Sequence, residues 1–548
     1  MDIDYDDENI TDNSSIWNGS LSDEDSESEN DDIEIVRVWC KHQSSQVQPA
    51  PPAFPFSGSS GLKVPTTDFD DPVNIFNHFF DDELIEYIVT ETNRYADNFL
   101  ETNELTPSAR AQNWKETNGR EMRLFLAILI YMGIVQKPVE EWYWSKRQSI
   151  CTPFVSEIIS YRRFQLLMKF LHFTNNETFD IASHPQPKLK KIFEIFQITC
   201  RKFQEVYIPE KDITVDESLV PYKGRLGYKQ YIPSKRARFG VKMYELCESH
   251  SGYIWNMICY TGKDTPFHSE YKKYGSTTAC VMTLAHDLLN KGYCLSLDNF
   301  YTSPELAELL IAKKTDVYGT IRPTRKNLPP AMKNEKLQRG KTIAFQKGKM
   351  CVLKWQDKKP VCILSTIHNS ENVEIKSRNK TVLKPKAIAD YNLTMGGVDK
   401  SDQCISYYPA IRNQQKKYYK KLFRHLLDQV IWNSFVLYQK TGGTLRHLEF
   451  RMKLVEGLVQ SNKEPNVSHK NLGKNPGSIL RLTARHFPSN VPSTEQKTNR
   501  TRRCVVCSNI VDENGKRKRR ESRYQCEICN VGLCVTPCFE KYHTYEHF

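Results

Sequence analysis

The sequence predicts an α/β core built on a mixed sheet, flanked along the chain by helical, basic segments and followed by a small cysteine-rich module. Three observations carry that reading. Apolar and β-branched runs begin at Ile213 and recur at 239–246, 253–260 and 293–298, with a helical run at 277–289 before the last. Strand, hairpin, helix, strand is the order of an α/β fold with a mixed sheet. Helical periodicity dominates on both sides, over 72–205 and again past Asp402. Finally, six of the sixteen cysteines crowd into the last 45 residues in CxxC-like pairs, which in a long chain argues for metal rather than disulfides.

At 548 residues the chain is too long for one core, and two to four domains are expected. Residues 1–34 hold fourteen Asp/Glu and no Lys/Arg against a net charge of +12, so the rest of the chain carries about +26. A body that basic points to a polyanionic partner, while the acidic, Ser-rich head is expected to be disordered. Ser22, Ser26 and Ser28 each precede an acidic residue and suit acidophilic kinases; a solubilising tail is the plainer reading. The acidic start is unlike a secretory signal. The longest apolar run, 124–135, falls short of the ~20 residues of a membrane span and reads as a buried helix, so no membrane partner is expected. The prolines at 49, 51, 52 and 55, followed by Ser-Gly-Ser-Ser-Gly, read as linker.

From Asp81 the pattern turns helical, with acidic residues in the first turn and Leu84, Ile85, Ile88 and Val89 on one face. Further helices are expected at 121–133 and 154–170, the latter carrying Arg162, Arg163 and Lys169. Past the strands, 326–385 is Lys-rich, holds a hairpin of 349–355 and 360–366, and ends in a basic, exposed stretch at 376–386; it reads as an insertion. A long amphipathic helix, 414–439, sets Leu422, Phe423, Leu426, Leu427, Val430 and Ile431 opposite Lys416, Lys417, Lys420, Lys421 and Arg424. That basic face suits DNA phosphates or plain solvent. Another helix is expected at 445–458.

Three aspartates stand in unusual places: Asp216 in Ile-Thr-Val-Asp-Glu-Ser-Leu, Asp298 in Leu-Ser-Leu-Asp-Asn-Phe-Tyr, and Asp399 in Met-Gly-Gly-Val-Asp-Lys-Ser-Asp. An ionised carboxylate in an apolar strand is costly unless a cation meets it. Asp298 ends its strand, where α/β sheets place ligand groups. Asp399 follows Gly396-Gly397, which permit a tight turn or close backbone approach, and Asp402 lies one helical turn on. Three or four carboxylates are hard ligands suited to two Mg²⁺ ions acting on phosphate, with no Lys or His general base needed. At the C-terminus, Cys504-x₂-Cys507, Cys526-x₂-Cys529, Cys534-x₃-Cys538 and His543-x₃-His547 make four ligand pairs that fit two tetrahedral Zn²⁺ ions, bound sequentially or cross-braced. A module this small needs zinc to fold.

The chain resembles the piggyBac family of DDE/D cut-and-paste transposases. The matching blocks are Val-Asp-Glu-Ser-Leu-Val-Pro-Tyr-Lys-Gly-Arg, Lys-Gln-Tyr-Ile-Pro-Ser-Lys, Leu-Asp-Asn-Phe-Tyr-Thr-Ser, Asp-Tyr-Asn at 390–392, Met-Gly-Gly-Val-Asp-Lys-Ser-Asp-Gln and Arg-His-Phe-Pro-Ser, then the cysteine-rich tail. The resemblance implies a ribonuclease-H-like catalytic core interrupted by an insertion, with a helical domain built from both flanks. It also implies Asp216, Asp298 and Asp399 as catalytic triad, with Asp402 beside it. The activity implied is excision at terminal inverted repeats through hairpin ends and insertion at TTAA. The family's tryptophan after the third aspartate is replaced by Lys417-Tyr418-Tyr419, and either tyrosine can supply the aromatic face, Tyr418 being the one assigned to DNA. The resemblance favours cross-bracing, with Cys504, Cys507, Cys534 and Cys538 on one zinc and Cys526, Cys529, His543 and His547 on the other.

The expected organisation is therefore an acidic head and linker (1–70), a helical DNA-binding or dimerisation domain in two parts (71–211 and 409–485), a catalytic domain in two parts (212–325 and 386–408), an insertion domain (326–385), a linker (486–502) and a zinc domain (503–548). Arg500, Arg502, Arg503 and the basic run 516–520 fit contacts with terminal-repeat DNA, a nuclear import signal or plain solvated loops, and a nuclear location is expected. Pairing two DNA ends implies a homodimer or more. The alternatives are a domesticated DNA-binding derivative without mobility and, from another class, a chromatin adaptor with a RING-like or histone-tail-reading tail. The latter leaves the aspartate blocks unexplained.

Overall fold

The computed structural model describes residues 39–42, 49–65, 69–233, 235, 237–377, 380–412, 415–463, 486–493, 498–510 and 519–545. The acidic head with its three serines, the basic residues 516–518 and His547 lie outside them. Residues up to 462 form one unit and those from 463 a second.

The helical flank begins with α1 (Pro72–Asn77) and α2 (Asp82–Thr102). Asp81 caps α2 by accepting the Leu84 N–H at 3.0 Å, and Leu84, Ile85, Ile88 and Val89 are buried as their spacing requires. The apolar run forms α3 (Gly119–Ile134) and is buried almost throughout. The run expected as a single helix is broken into α4 (Pro153–Ile158) and α5 (Tyr161–Phe170). Ile158 and Ile159 are poor helix formers, and the Ser160 side chain starts the second helix by accepting the Arg163 N–H at 3.3 Å. Helix α6 (Phe193–Val206) closes this flank.

The sheet follows. Its centre is β1 (Asp212–Pro221), β2 (Phe239–Glu248), β3 (Ile254–Cys259), β4 (Cys294–Leu297) and β5 (Asp316–Thr320), in the order β3-β2-β1-β4-β5. Strand β2 runs antiparallel to β1 and β3, whereas β1, β4 and β5 are parallel. Short turns suffice for the antiparallel strands; the parallel ones need crossovers, supplied by α7 (Ser276–Leu284) and α8 (Pro304–Ala312). This mixed order fits the ribonuclease-H-like expectation.

The segment read as an insertion extends this sheet. Strands β6 (Thr342–Lys347), β7 (Met350–Gln356) and β8 (Pro360–Ser365) are antiparallel, and β8 pairs with β5 through Leu364↔Gly319. A second hairpin, β9 (Asn372–Ser377) with β10 (Lys380–Pro385), occupies the stretch expected only to be basic and exposed. The proline-rich stretch is docked and not a free linker. Phe54 N–H donates to Asp316 Oδ2 at 2.7 Å, Phe56 meets the Tyr293 ring edge-on at 5.0 Å, and Cys40–Lys41 pairs with β6. A polyproline-like backbone has no internal hydrogen bonds, so its free donors and aromatic anchors bind the core readily.

Helices α9 (Lys386–Thr394) and α10 (Gly397–Tyr407) return the chain to the sheet, followed by α11 (Tyr418–Lys440) and α12 (His447–Asn462). Helix α11 is buried from Tyr419 to Tyr438. It contacts α1, α6, α10 and β1, and Asn433 bonds both backbone groups of Ile254 at 2.8 and 2.7 Å. The two helical flanks therefore meet directly, α11 against α1 and α6 and α12 against α1 and α3.

In the second unit, Pro488–Asn490 pairs with Tyr524–Cys526, which pairs with Val531–Gly532, while Arg502–Arg503 pairs with Glu521–Ser522. Residues 486–502, expected as linker, thus open the module. Its core is small: six cysteines with Val506, Val531, Leu533 and Tyr542.

Candidate active site and metal centres

Strand register places the first two aspartates side by side. Val215 pairs with Leu297, so Asp216 and Asp298 are the next residues on adjacent parallel strands, at the same end of the sheet. Asp298 then turns the chain: its Oδ1 accepts the Phe300 N–H at 2.8 Å, and its carbonyl accepts the Thr302 hydroxyl at 2.8 Å. Gly319 on β5 makes room for this turn, since a Cβ there would stand 2.2 Å from the Leu297 carbonyl oxygen. The third element, α10, packs on β1. Gly397 permits that approach, because a Cβ would lie 2.7 Å from Thr214 Cγ2 and 2.9 Å from the Glu248 carbonyl, whereas Gly396 faces open space. Thr394, just upstream, is tied to Ser296 at 2.6 Å and Tyr318 at 2.7 Å.

Asp402 leans onto β1, accepting the Ser218 hydroxyl at 2.6 Å, while Asp399, one turn earlier, is largely exposed. The aspartates are not among the described groups whose donor atoms converge within 4.8 Å. Spread over this end of the sheet, the mouth of the candidate site, they do not form a single-ion cage. A two-metal site, with ions about 3.5–4 Å apart, would draw on carboxylates spread more widely than a single ion's ligand shell.

The electrostatics of the mouth favour a cation. Burial, then the charges of Glu217 and Asp298, push Asp216 up to about 7, against an N–H bond from Glu217 and the pull of Lys235. Burial pushes Asp402 up to about 6 despite Ser218 and Lys235, and it also raises Asp298. Beneath them Glu245, paired in register with Asp216, is fully buried and held by Gln429 Nε2 at 2.8 Å. Carboxyl groups forced toward neutrality by one another and by burial, all offering hard oxygens, fit Mg²⁺.

Two residues escaped the sequence reading. Lys235 lies in a quoted motif and reaches 3.9 Å from Asp399 Oδ1. Glu245 is a lone acid in an otherwise apolar stretch of β2, a signal of the kind that singled out Asp216. The basic face of α11 needs correction. Lys420, Lys421 and Arg424 are buried. Lys420 Nζ donates to the Lys169 carbonyl at 2.9 Å, Lys421 Nζ to that of Pro221 at 3.4 Å, and Arg424 to that of Ala410 at 3.1 Å. Periodicity could not distinguish a solvated stripe from one covered by α5 and the 410 turn. Lys416 is exposed, Lys417 and Tyr418 are half-buried, and Tyr419 is core.

In the tail the ligands interleave. Cys504, Cys507, Cys534 and Cys538 converge, with Cys507 Sγ 4.0 Å from Cys534 Sγ and 3.5 Å from Cys538 Sγ. A tetrahedron with Zn–S bonds of about 2.3 Å would put sulfurs about 3.8 Å apart. The second group is Cys526, Cys529, His543 and His486. His486 Nδ1 lies 3.4 and 3.5 Å from the two sulfurs, and His543 Nε2 lies 3.6 Å from Cys529. His543 Nδ1 donates to the Phe539 carbonyl at 2.8 Å, which leaves Nε2 as the ligand atom. The fourth donor among the described residues is thus His486, from the Arg-His-Phe-Pro-Ser block; His547, the expected ligand, lies outside them. A third convergence, His268, Glu270 and His286, is solvent-facing, and its carboxylate is paired with Lys313 at 3.1 Å.

The transposase family described as Transposase IS4 matches residues 71–435, a span that contains all three aspartates and the sheet carrying them. The chain belongs to the piggyBac-type transposases. This piggyBac-type chain is 27% identical over 536 residues to the human PiggyBac transposable element-derived protein 3, covering 93% of itself and 82% of that relative. It is 26% identical over 388 residues to the human PiggyBac transposable element-derived protein 2, covering 67% of itself and 61% of the relative. Its fold matches the piggyBac transposase in a synaptic complex with hairpin DNA solved by cryo-EM, with a TM-score of 0.65 at 22% identity, over 86% of this chain and 98% of that one.

Proposed function

We propose that this protein is an active DNA transposase: it cuts DNA at the terminal inverted repeats of a mobile element, releases it through hairpin ends and inserts it at TTAA by metal-dependent phosphoryl transfer. The observation that carries this reading is the placement of Asp216 and Asp298 side by side at one end of the mixed sheet, with Lys235 interacting with both Asp216 and Asp399. The three aspartates would hold two Mg²⁺ ions, which supply an activated water or 3′-hydroxyl and stabilise the leaving oxygen. Asp216 is rigid within β1, Asp298 is fixed by its own turn, and Ser218 orients Asp402 beside them. In the tail, Cys504, Cys507, Cys534 and Cys538 would hold one Zn²⁺, and Cys526, Cys529, His543 and His486 a second. The tail and the exposed basic residues around it serve terminal-repeat DNA, and two chains pair two ends in the nucleus.

The names of the human relatives, transposable element-derived, support a second reading in which DNA is bound but not moved. One experiment separates the two. Purified protein, Mg²⁺ and labelled DNA from the inverted repeats flanking the gene are assayed for strand cleavage and for binding. Wild type is expected to nick and form hairpins, and Asp216→Asn, Asp298→Asn and Asp399→Asn each to fall to background while still binding ends, because the amide keeps shape but loses charge. Near-normal cutting by any one variant removes that residue from the site. Binding without cutting by wild type gives the second reading.

A further inference from the structure

The mouth contains one built-in cation that the carboxylate reading leaves unexplained. Lys235 sits in a tight turn leading into β2: its N–H donates to the Ile232 carbonyl at 3.2 Å, and its own carbonyl accepts the Arg238 N–H at 3.0 Å. The side chain is three-quarters buried, and its ammonium donates to the Glu217 carbonyl at 2.8 Å, one residue from Asp216. From there it stands 3.9 Å from Asp399 Oδ1 and interacts with the charges of Asp216, Asp402 and Glu217. The turn and the Glu217 carbonyl together hold the ammonium beside the carboxylates. Lys242, the neighbouring cation, faces Glu217 and the Phe300 ring instead.

We infer that Lys235 is a catalytic residue that contacts the scissile phosphodiester. This inference rests on the transposase reading. An ammonium and divalent cations compete for the same carboxylates. Carboxylates shared with metal hold Lys235 less tightly, while the Glu217 carbonyl keeps it at the mouth. Its remaining donors then face a non-bridging oxygen of the phosphate, as a compact point charge with three N–H groups can. In the first strand cleavage, the water oxygen forms a bond to phosphorus and the P–O3′ bond breaks with its electron pair on O3′. The water gives a proton to solvent, and O3′ takes one from it. Lys235 stabilises the charge that builds on the phosphate oxygens and is not required to move a proton.

The test uses full-length Lys235→Met and Lys235→Arg with two readouts. Single-turnover cleavage of saturating end DNA is expected to drop about 10²–10³-fold in Lys235→Met, the loss typical of one charge-stabilising donor, with partial recovery in Lys235→Arg. Mg²⁺ binding to the DNA-free protein, followed by the rise in melting temperature, is expected to tighten several-fold in Lys235→Met, because the competing cation is gone. The two effects run in opposite directions, whereas damage to the fold would weaken both. Cleavage by Lys235→Met within about threefold of wild type, or a fall in cleavage together with weaker Mg²⁺ binding in both variants, overturns the inference. Wild type that binds ends and never cuts them overturns the transposase reading, and this inference with it.

Discussion

The aspartate mouth and the cysteine tail gather metal-suited side chains by opposite routes. Asp216, Asp298 and Asp399 come from three elements far apart in sequence, brought together by a large apolar core that does not involve them. The tail cysteines come in close pairs, and the ligands are themselves most of the buried core. The first region therefore has a core of its own apart from its carboxylates, whereas the second has little core apart from its candidate ligands. Burial and neighbouring like charge raise the carboxyls of Asp216 and Asp402 inside a finished structure, whereas the tail holds ligand sets that metal would complete.

The sharpest break between the two should come from chelation. Stripping zinc from the full-length protein is expected to unfold residues 486–545 while residues 69–462 stay protected, since a structural zinc contributes about 10–16 kcal/mol at neutral pH. Hydrogen exchange of the whole chain reads both regions at once, and a tail that stays protected without metal would end the contrast. Next in size, His486→Ala should lower bound zinc from two ions per chain to one, with His547→Ala keeping two; metal analysis giving the reverse pattern would restore the terminal histidine as ligand.

Charges inside the larger unit sharpen the comparison further. Asp428 and Arg451 are both fully buried and paired at 3.2 Å. Arg451→Ala removes the ion-pair partner of that buried carboxylate and should cost about 3–5 kcal/mol. Asp216→Asn, which relieves like charge in the mouth, should leave thermal stability unchanged or higher. Equal losses in calorimetry would mean that Asp216 is structural. The smallest effect concerns DNA. Lys416→Ala is expected to reduce the slope of log affinity against log salt by about 1, as loss of one phosphate contact does, while Lys420→Ala lowers melting temperature with the slope unchanged. A lower slope for Lys420→Ala would put that lysine back among the DNA contacts.

Much of the site was legible because each signal was local. Asp216 and Asp298 stood out as acids in apolar strands, the hairpin of β7 and β8 was marked by its polar turn, and the tail by paired cysteines. Lys235 and His486 were visible inside quoted motifs but had no local feature to separate a ligand from a solvated side chain. Glu245 was missed although it broke an apolar strand as Asp216 does. The split between α4 and α5 had its signal in Ser160, a capping residue after two β-branched ones, which apolar periodicity alone passed over.

Residue type and short-range spacing determined the caps, the strand alternation, the first two aspartates at a strand and a strand end, and the soft-ligand pairs, because those depend on neighbours within a few positions. Only the tertiary structure decided which faces meet water. Helix α11 has an amphipathic sequence, yet it is covered on nearly all sides, and Lys420, Lys421 and Arg424 find carbonyl partners within the fold. The same long-range packing turned a proline-rich linker into a docked strap, joined the inserted hairpin to β5 and brought His486 to Cys526 and Cys529. Burial is a property of whatever packs opposite a residue, and what packs opposite is set by segments hundreds of positions away.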